Sequence, residues 1–140
     1  MDANEASEME PLEHVKQLDD RLTFSVIGAA QRVHAILGPG FTEAVYELAL
    51  RKELSLRQVP FVSQQEFDVF YEGTLCGRYR TDMIVDKKVV VELKAVDKLA
   101  PEHKAQLVSY LKASGLMIGL LLNFGAVSLG VRRYTRTKLI

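Results

Sequence analysis

The chain has 140 residues, 48% of them apolar, and a formal net charge of zero. This is enough for one domain with a buried core, and no segment approaches the roughly 20 apolar residues of a membrane-spanning helix. The acidic start lacks the basic and apolar regions of a secretory signal, and the single cysteine, Cys76, excludes an internal disulfide or a cysteine-rich zinc site. We therefore expect a cytoplasmic protein without membrane attachment.

The charged side chains are unevenly distributed along the chain. Residues 1–73 contain 6 Lys/Arg against 13 Asp/Glu, whereas residues 74–140 contain 12 against 5. Residues 1–20 are acidic and poor in large apolar side chains, so they are predicted to form a flexible tail, with room for some helix near its end, and residues 21–140 are predicted to form one domain. The domain is then more basic than the whole chain, which permits a polyanionic substrate.

Two helices are predicted first. Apolar residues recur at helical spacing from Leu22, and Gly38-Pro39-Gly40 ends this pattern, so the first helix is predicted over about residues 20–37. A second helix is predicted to begin after Thr42, which is a suitable capping residue, and to end before Pro60.

Strands are predicted beyond Pro60, where the apolar period becomes two. The predicted elements are a strand around 67–71, a turn at 72–73, strands over 75–85 and 89–95, a helix from Pro101 to Gly115, and strands over 117–122 and 130–135. The predicted order is therefore ααβββαββ.

A glutamate and a lysine interrupt the apolar strand at Glu92 and Lys94. Buried charges need compensation, and side chains two apart on a strand share one face. Asp82 pairs with Glu92 if Asp86-Lys87-Lys88 closes a three-residue loop, or if a bulge corrects a shorter turn. Two converging carboxylates suit Mg²⁺ or Mn²⁺. The alternative is a surface hairpin with an ordinary Glu–Lys pair.

Several separated motifs favour the first interpretation. They are Val33-His34, Leu37-Gly38-Pro39-Gly40, Gly40-x-x-Glu43-x-x-Tyr46, Tyr79-Arg80-Thr81-Asp82, Val91-Glu92-Leu93-Lys94, Gln106-x-x-x-Tyr110 and Leu121-Leu122-Asn123-Phe124-Gly125. With them the sequence resembles the GxxExxY family, a branch of the PD-(D/E)XK nuclease superfamily, over about residues 22–135. The resemblance implies an α/β restriction-endonuclease-like core with a mixed central sheet flanked by helices.

The resemblance also implies roles for the acidic residues and the lysine. Asp82 and Glu92 would bind a divalent metal with the backbone carbonyl of Leu93, Lys94 would assist the attacking water, and Glu43 would complete the metal shell. Arg80-Thr81 stands before Asp82 where the superfamily name has a proline. Sequence does not choose whether Lys94 orients water, deprotonates it or stabilises charge.

Substrate contacts are expected from a second group of residues. The resemblance implies that Gln106 and Tyr110 lie at the rim of the site, and Arg80 is one of several basic candidates for phosphate contact. His34 is interpreted as a packing or hydrogen-bonding residue, with metal binding as the alternative.

The predicted function is Mg²⁺- or Mn²⁺-dependent hydrolysis of phosphodiester bonds in nucleic acid, with DNA favoured over RNA. A catalytically weak or inactive nuclease-fold module that binds nucleic acid or a protein partner is the main alternative, and a target other than nucleic acid is the third. A homodimer is also considered, because small cores often gain a substrate channel by dimerising.

Overall fold

The computed structural model describes residues 11–136, with side chains from residue 19 onward. Within these residues there are three helices and seven strands: α1 (Pro11–Leu37), α2 (Glu43–Leu56), β1 (Phe61–Ser63), β2 (Glu66–Tyr71), β3 (Thr74–Arg80), β4 (Met83–Val85), β5 (Val89–Lys94), α3 (Pro101–Ser114), β6 (Ile118–Asn123) and β7 (Gly130–Thr135).

The strands form two separate sheets. The central sheet has five strands in the order β1-β4-β5-β6-β7, and the other sheet is the β2–β3 hairpin. β5 and β6 are parallel and are connected through α3, whereas the other pairs in the central sheet are antiparallel. This mixed sheet with flanking helices confirms the predicted α/β fold class.

Helices cover both faces of the central sheet. α1 and α2 pack on one face, where they meet alternate residues of β5 such as Val89, Val91 and Leu93. α3 packs on the other face together with the hairpin, and Val90 belongs to this second cluster. Because side chains alternate along a strand, Glu92 and Lys94 share one face, as the sequence predicted, and this is the face covered by α3.

Helix α1 begins at Pro11 and therefore extends into the segment that was predicted to be a tail. Arg133 Nη1 lies 2.7 Å from Asp20 Oδ1, and Lys88 Nζ lies 3.8 Å from Asp19 Oδ1, so this part of α1 is tied to the sheet. Residues 1–10 of the predicted tail lie outside the described residues, and the division into a tail and one domain stays a prediction. No helix within 11–136 has the length and apolar character needed to cross a membrane.

The prediction of one long strand over 75–85 is wrong. The chain leaves the hairpin after Arg80 and enters the central sheet at Met83, so β3 and β4 belong to different sheets. Six of the seven β3 residues are exposed, whereas every residue of β4 is buried. β1 was not predicted, so five strands stand between α2 and α3, and the order is ααβββββαββ.

The loop between β4 and β5 has the three residues on which the predicted register depends. Met83 pairs with Val91 and Val85 with Val89, which leaves residues 86–88 as the connection. Asp86 and Lys87 have φ angles of 49° and 59°, and the amide of Lys88 donates to the carbonyl of Val85 at 3.0 Å. The three-residue loop is confirmed, and it places Asp82 at the position opposite Glu92.

The end of β6 is fastened to the segment after β5 by a buried asparagine. Asn123 Oδ1 accepts from the amides of Val96 and Gly125, both at 3.0 Å, and Asn123 Nδ2 donates to the Val96 carbonyl at 2.9 Å. Gly125 lies so close that a Cβ there would stand 2.4 Å from the Val96 nitrogen. The motif Asn123-Phe124-Gly125 therefore fixes the backbone two residues beyond Lys94.

Replacing Gly125 with alanine is expected to destabilise the protein by about 1–3 kcal/mol or more, because the new methyl group meets backbone that cannot move aside easily. Urea unfolding monitored by circular dichroism measures the change. Gly77→Ala is the matched control, since a Cβ at Gly77 meets no atom within 4 Å. Equal stability of the two variants would contradict the proposed close packing.

Candidate active site

Two acidic side chains are connected by reciprocal hydrogen bonds where β4 begins and β5 ends. The amide of Asp82 donates to Glu92 Oε1 at 3.0 Å, and the amide of Leu93 donates to Asp82 Oδ2 at 2.8 Å. The Asp82 carboxylate thus continues the hydrogen bonding of β5 beyond the last backbone pair, Met83 with Val91. Each carboxylate is held in place by the backbone next to the other one.

Burial gives Glu92 an unusual protonation behaviour. Glu92 is only 3% exposed to solvent. Burial, and after it the negative charge of Asp82, raise the pKa of Glu92 to about 9, although the hydrogen bond from the Asp82 amide and the charge of Lys94 act in the opposite direction. Without a neutralising cation the Glu92 carboxyl is therefore protonated at neutral pH.

Lys94 is oriented by the helix that follows β5. Its ammonium donates to Gln106 Oε1 at 2.7 Å. Tyr110 lies one turn further along α3 and is 7% exposed. Burial raises the pKa of Tyr110, the charges of Glu92 and Asp82 add to this effect, and a hydrogen bond with the Gln106 side chain acts against it. The predicted rim residues Gln106 and Tyr110 are thus brought to the same site.

A cleft of about 180 Å³ connects Asp82 with the start of α2. Glu43, in the first turn of α2, lines this cleft together with Asp82 and Leu93. Sequence reasoning missed two further lining residues, Glu47 and Gln64, whose side chains are hydrogen-bonded at 2.6 Å. Glu47 follows Glu43 by four residues on the same side of a helix, so its spacing was a signal that could have found it.

The donor atoms near Asp82 suit a hard divalent cation. Asp82 and Glu92 supply carboxylate oxygens, and the Leu93 carbonyl points to the same side of β5 as the Leu93 amide that contacts Asp82. Within residues 11–136 no group of three or more His, Cys, Asp or Glu side chains is close enough to hold a metal. Two carboxylates with several waters are the usual protein contribution to a Mg²⁺ site, so the residues fit such an ion.

The Gly40-x-x-Glu43-x-x-Tyr46 motif joins α2 to the loop before it. Tyr46 is fully buried, and its ring stacks on Phe124 with a centroid distance of 4.7 Å. Its hydroxyl donates to the Gly38 carbonyl and accepts from the Phe41 amide. The tyrosine therefore fixes the loop that precedes Glu43, which is a structural role.

Two predicted candidates lie apart from this hydrogen-bonded group. Arg80 is on the exposed side of the hairpin, where its Nη2 lies 2.8 Å from Glu66 Oε1. This pairing already neutralises the guanidinium. His34 is 8% exposed, and its Nε2 donates to the Ala126 carbonyl at 2.9 Å, in agreement with the predicted hydrogen-bonding role.

Comparisons with known proteins agree with the fold. The chain is similar in fold to the crystal structure of SSO0001, with a TM-score of 0.56 and 22% sequence identity, over 69% of this chain and 50% of that one. The chain thus spans half the length of that protein, and the likeness concerns the fold. No curated protein matches the sequence significantly. Residues 20–134 match the sequence model of one family, so the chain belongs to the PD-(D/E)XK nuclease superfamily.

Proposed function

We propose that this protein is a Mg²⁺- or Mn²⁺-dependent nuclease that hydrolyses phosphodiester bonds in nucleic acid, with DNA as the favoured substrate. The observation that carries the proposal is the reciprocal pairing of Asp82 and Glu92, with Lys94 on the same face of β5. Membership of the nuclease superfamily supports the reaction class. Within the superfamily, the spacing of Gly40, Glu43 and Tyr46 supports assignment to the GxxExxY branch.

Asp82, Glu92 and the carbonyl of Leu93 would hold the cation, and Glu43 would approach it through water from the other side of the cleft. A divalent cation bound there supplies water activation and charge neutralisation for phosphodiester hydrolysis. Glu92 must ionise to become a ligand, so the chain itself couples cation binding to release of a proton.

Lys94 is proposed to act on the water or the phosphate. Its hydrogen bond to Gln106 fixes the ammonium beside Glu92 and leaves two of its three N–H groups for other partners. These can hold a water molecule or a non-bridging phosphate oxygen, in either case on the same side as the cation ligands. Gln106 and Tyr110 would then contact the substrate near the cut, and Arg80 would reach a phosphate only by exchanging Glu66 for it.

Incubating the purified protein with single- and double-stranded DNA and RNA of one sequence tests the proposal. Cleavage is expected with Mg²⁺ or Mn²⁺ and not with EDTA, and faster on DNA than on RNA. Asp82→Ala protein purified in the same way is the control for a contaminating nuclease. Binding without cleavage under every condition would favour a nuclease-fold binding module instead, and neither binding nor cleavage would favour a different target. A cytoplasmic location and a homodimer stay predictions.

A further inference from the structure

A second cavity, larger than the catalytic cleft, lies between the β2–β3 hairpin and α3. Its volume is about 340 Å³. Two aromatic residues, Phe70 and Tyr79, line it on the hairpin side, and Ser109 and Lys112 line it on the helix side. None of these four residues belongs to the proposed metal site. We propose that this cavity binds one unpaired nucleobase of the substrate strand, an inference that rests on the proposed nuclease function.

Tyr79 has the properties of a stacking platform. Its ring packs edge-on against Tyr110, with a centroid distance of 5.6 Å and an interplanar angle of 75°, and Tyr79 is still 39% exposed. The contact with a buried tyrosine holds the ring in one orientation. Stacking of a base on this ring therefore costs little side-chain entropy, because the ring is already held in place, and this favours binding.

Phe70 supplies a second exposed aromatic surface in the same cavity. Phe70 is 61% exposed, and the pairing of β2 with β3 changes register between Val69 and Phe70, with Cys76 as the extra residue. The extra residue belongs to β3, so the bulge bends the strand opposite Phe70. An exposed phenylalanine gains free energy when a base covers it.

The polar groups of the cavity match a nucleotide. Lys112 is exposed and forms no ion pair with any side chain that the structure describes, so it is available for a phosphate. Asp68, held at 3.0 Å from Arg78, also lines the cavity and offers an acceptor for the N–H groups of a base edge. Ser109 donates its hydroxyl proton to the Ala105 carbonyl, which leaves its oxygen as a further acceptor.

Tyr110 connects the cavity with the proposed catalytic site. Its ring contacts Tyr79, and its hydroxyl is near enough to Glu92 and Asp82 for their charges to raise its pKa. Gln106, which contacts Lys94, and Lys112 lie on α3 about 9 Å apart along the helix axis, at 1.5 Å per residue. At a rise of about 3.4 Å per nucleotide, a base in the cavity belongs to a nucleotide within roughly three positions of the cut.

An unpaired base fits this cavity better than a paired one. A base inside a duplex already stacks on both neighbours, whereas a base in a single strand or at a frayed end can present one face to Tyr79. The inferred substrate is therefore nucleic acid with a single-stranded segment next to the scissile phosphate.

Binding of a short DNA strand to protein carrying Asp82→Asn, which is used to prevent cutting, tests the inference. A fluorescent purine analogue whose emission is quenched by stacking is placed at successive positions of the strand. Quenching is expected at one position, and an abasic site there is expected to weaken binding about tenfold. Adding Tyr79→Ala or Phe70→Ala should remove the quenching and weaken binding similarly, while Tyr79→Phe retains both.

Phe24→Ala is the matched control, because Phe24 is a 79% exposed aromatic residue on α1 and does not line the cavity. If Tyr79→Ala does not fold, Phe70→Ala still tests the inference, because the exposed Phe70 ring contributes little to the core. Unchanged binding and quenching in both Tyr79→Ala and Phe70→Ala would overturn the inference. The inference would also be overturned if sedimentation showed that the wild type is a dimer and that these variants are monomers, because the cavity would then be an interface between two copies of the chain.

The inference and the proposed nuclease function fail in different ways. Metal-dependent cleavage by the wild-type protein without position-dependent quenching would overturn the base site and leave the nuclease standing. Position-dependent quenching without cleavage would support the base site and favour a nucleic-acid-binding module. Absence of any binding to single-stranded DNA or RNA would overturn the base site.

Discussion

Replacing Glu92 with glutamine is expected to abolish metal-dependent cleavage and, at the same time, to stabilise the metal-free protein. The amide oxygen of glutamine can still accept from the Asp82 amide, so the local backbone is preserved. The negative charge needed for a cation ligand is lost. We expect cleavage to fall by about three orders of magnitude or more, as for removal of a principal electrostatic group.

The gain in stability follows from the raised pKa of Glu92. The value is about 9 in the folded protein and 4.5 for an ordinary glutamate. Between these values the folded state binds more protons than the unfolded state, so the free energy of unfolding falls as pH rises, by up to about 1.4 kcal/mol per pH unit. This stability is fully present below pH 4.5 and is lost towards pH 9. Glutamine has no such penalty.

Thermal unfolding between pH 5 and 9, without divalent ions, measures this effect. The melting temperature of Glu92→Gln should exceed that of the wild type by a margin that grows with pH. Mg²⁺ should stabilise the wild type, increasingly as pH rises, and should have little effect on the variant. Glu102→Gln, which removes the same charge from an exposed position on α3, serves as the control. A wild-type protein as stable as the variant at pH 9 would contradict the buried carboxyl.

The pairing of Asp82 with Glu92 could be predicted from the sequence because it depends on the number of residues in the loop between the two strands. A strand has a period of two, and an odd loop of residues 86–88 puts both carboxylates at opposite positions. Helix α3 could be predicted equally well, because Pro101 and Gly115 mark its two ends in the sequence. Such features depend on residues within a few positions of each other.

The break between β3 and β4 could not be predicted in the same way. Residues 75–85 contain many side chains that favour strands, such as Tyr79, Thr81 and Ile84, and no proline marks an end of the strand near Asp82. The break exists because the hairpin packs on α3 while β4 pairs with β1 and β5. Tertiary packing of distant segments decided it.

The cavity residues illustrate the same limit. Tyr79 belonged to a recognised motif, but its contact with Tyr110 arises only when the hairpin is folded over α3. Arg80, next in the chain, points to the opposite face and pairs with Glu66. Whether Tyr79 or Arg80 faces α3 depends on which face of the hairpin packs against that helix, and the sequence alone does not determine this.

Lys94→Ala is expected to lower the rate of cleavage by about 10²–10⁴-fold while leaving cation binding intact, which separates the lysine from the two carboxylates. The ammonium is a neighbour of Glu92, and its charge opposes that of a bound cation. Its removal should therefore leave Mn²⁺ affinity unchanged or slightly tighter. Calorimetric Mn²⁺ titration and single-turnover cleavage measure the two quantities separately.

A lysine that acts on the reacting groups differs from one that only packs. Small primary amines added to Lys94→Ala should restore part of the rate by occupying the space beside Gln106 Oε1, which no structural role explains. Gln106→Ala should cause a smaller loss, about tenfold, because it leaves the ammonium in place without its acceptor. Lys104→Ala is the charge-matched control, because Lys104 is an exposed lysine on α3 whose ammonium lies over the Tyr134 ring.

Two outcomes would contradict a direct role of Lys94. If Lys94→Ala weakened Mn²⁺ binding as strongly as Glu92→Gln, the lysine would be supporting the local fold. If Lys104→Ala slowed cleavage equally, the effect would come from the general surface charge. Full activity in Lys94→Ala would exclude it from the chemistry, and cleavage would then depend on Asp82, Glu92 and their cation.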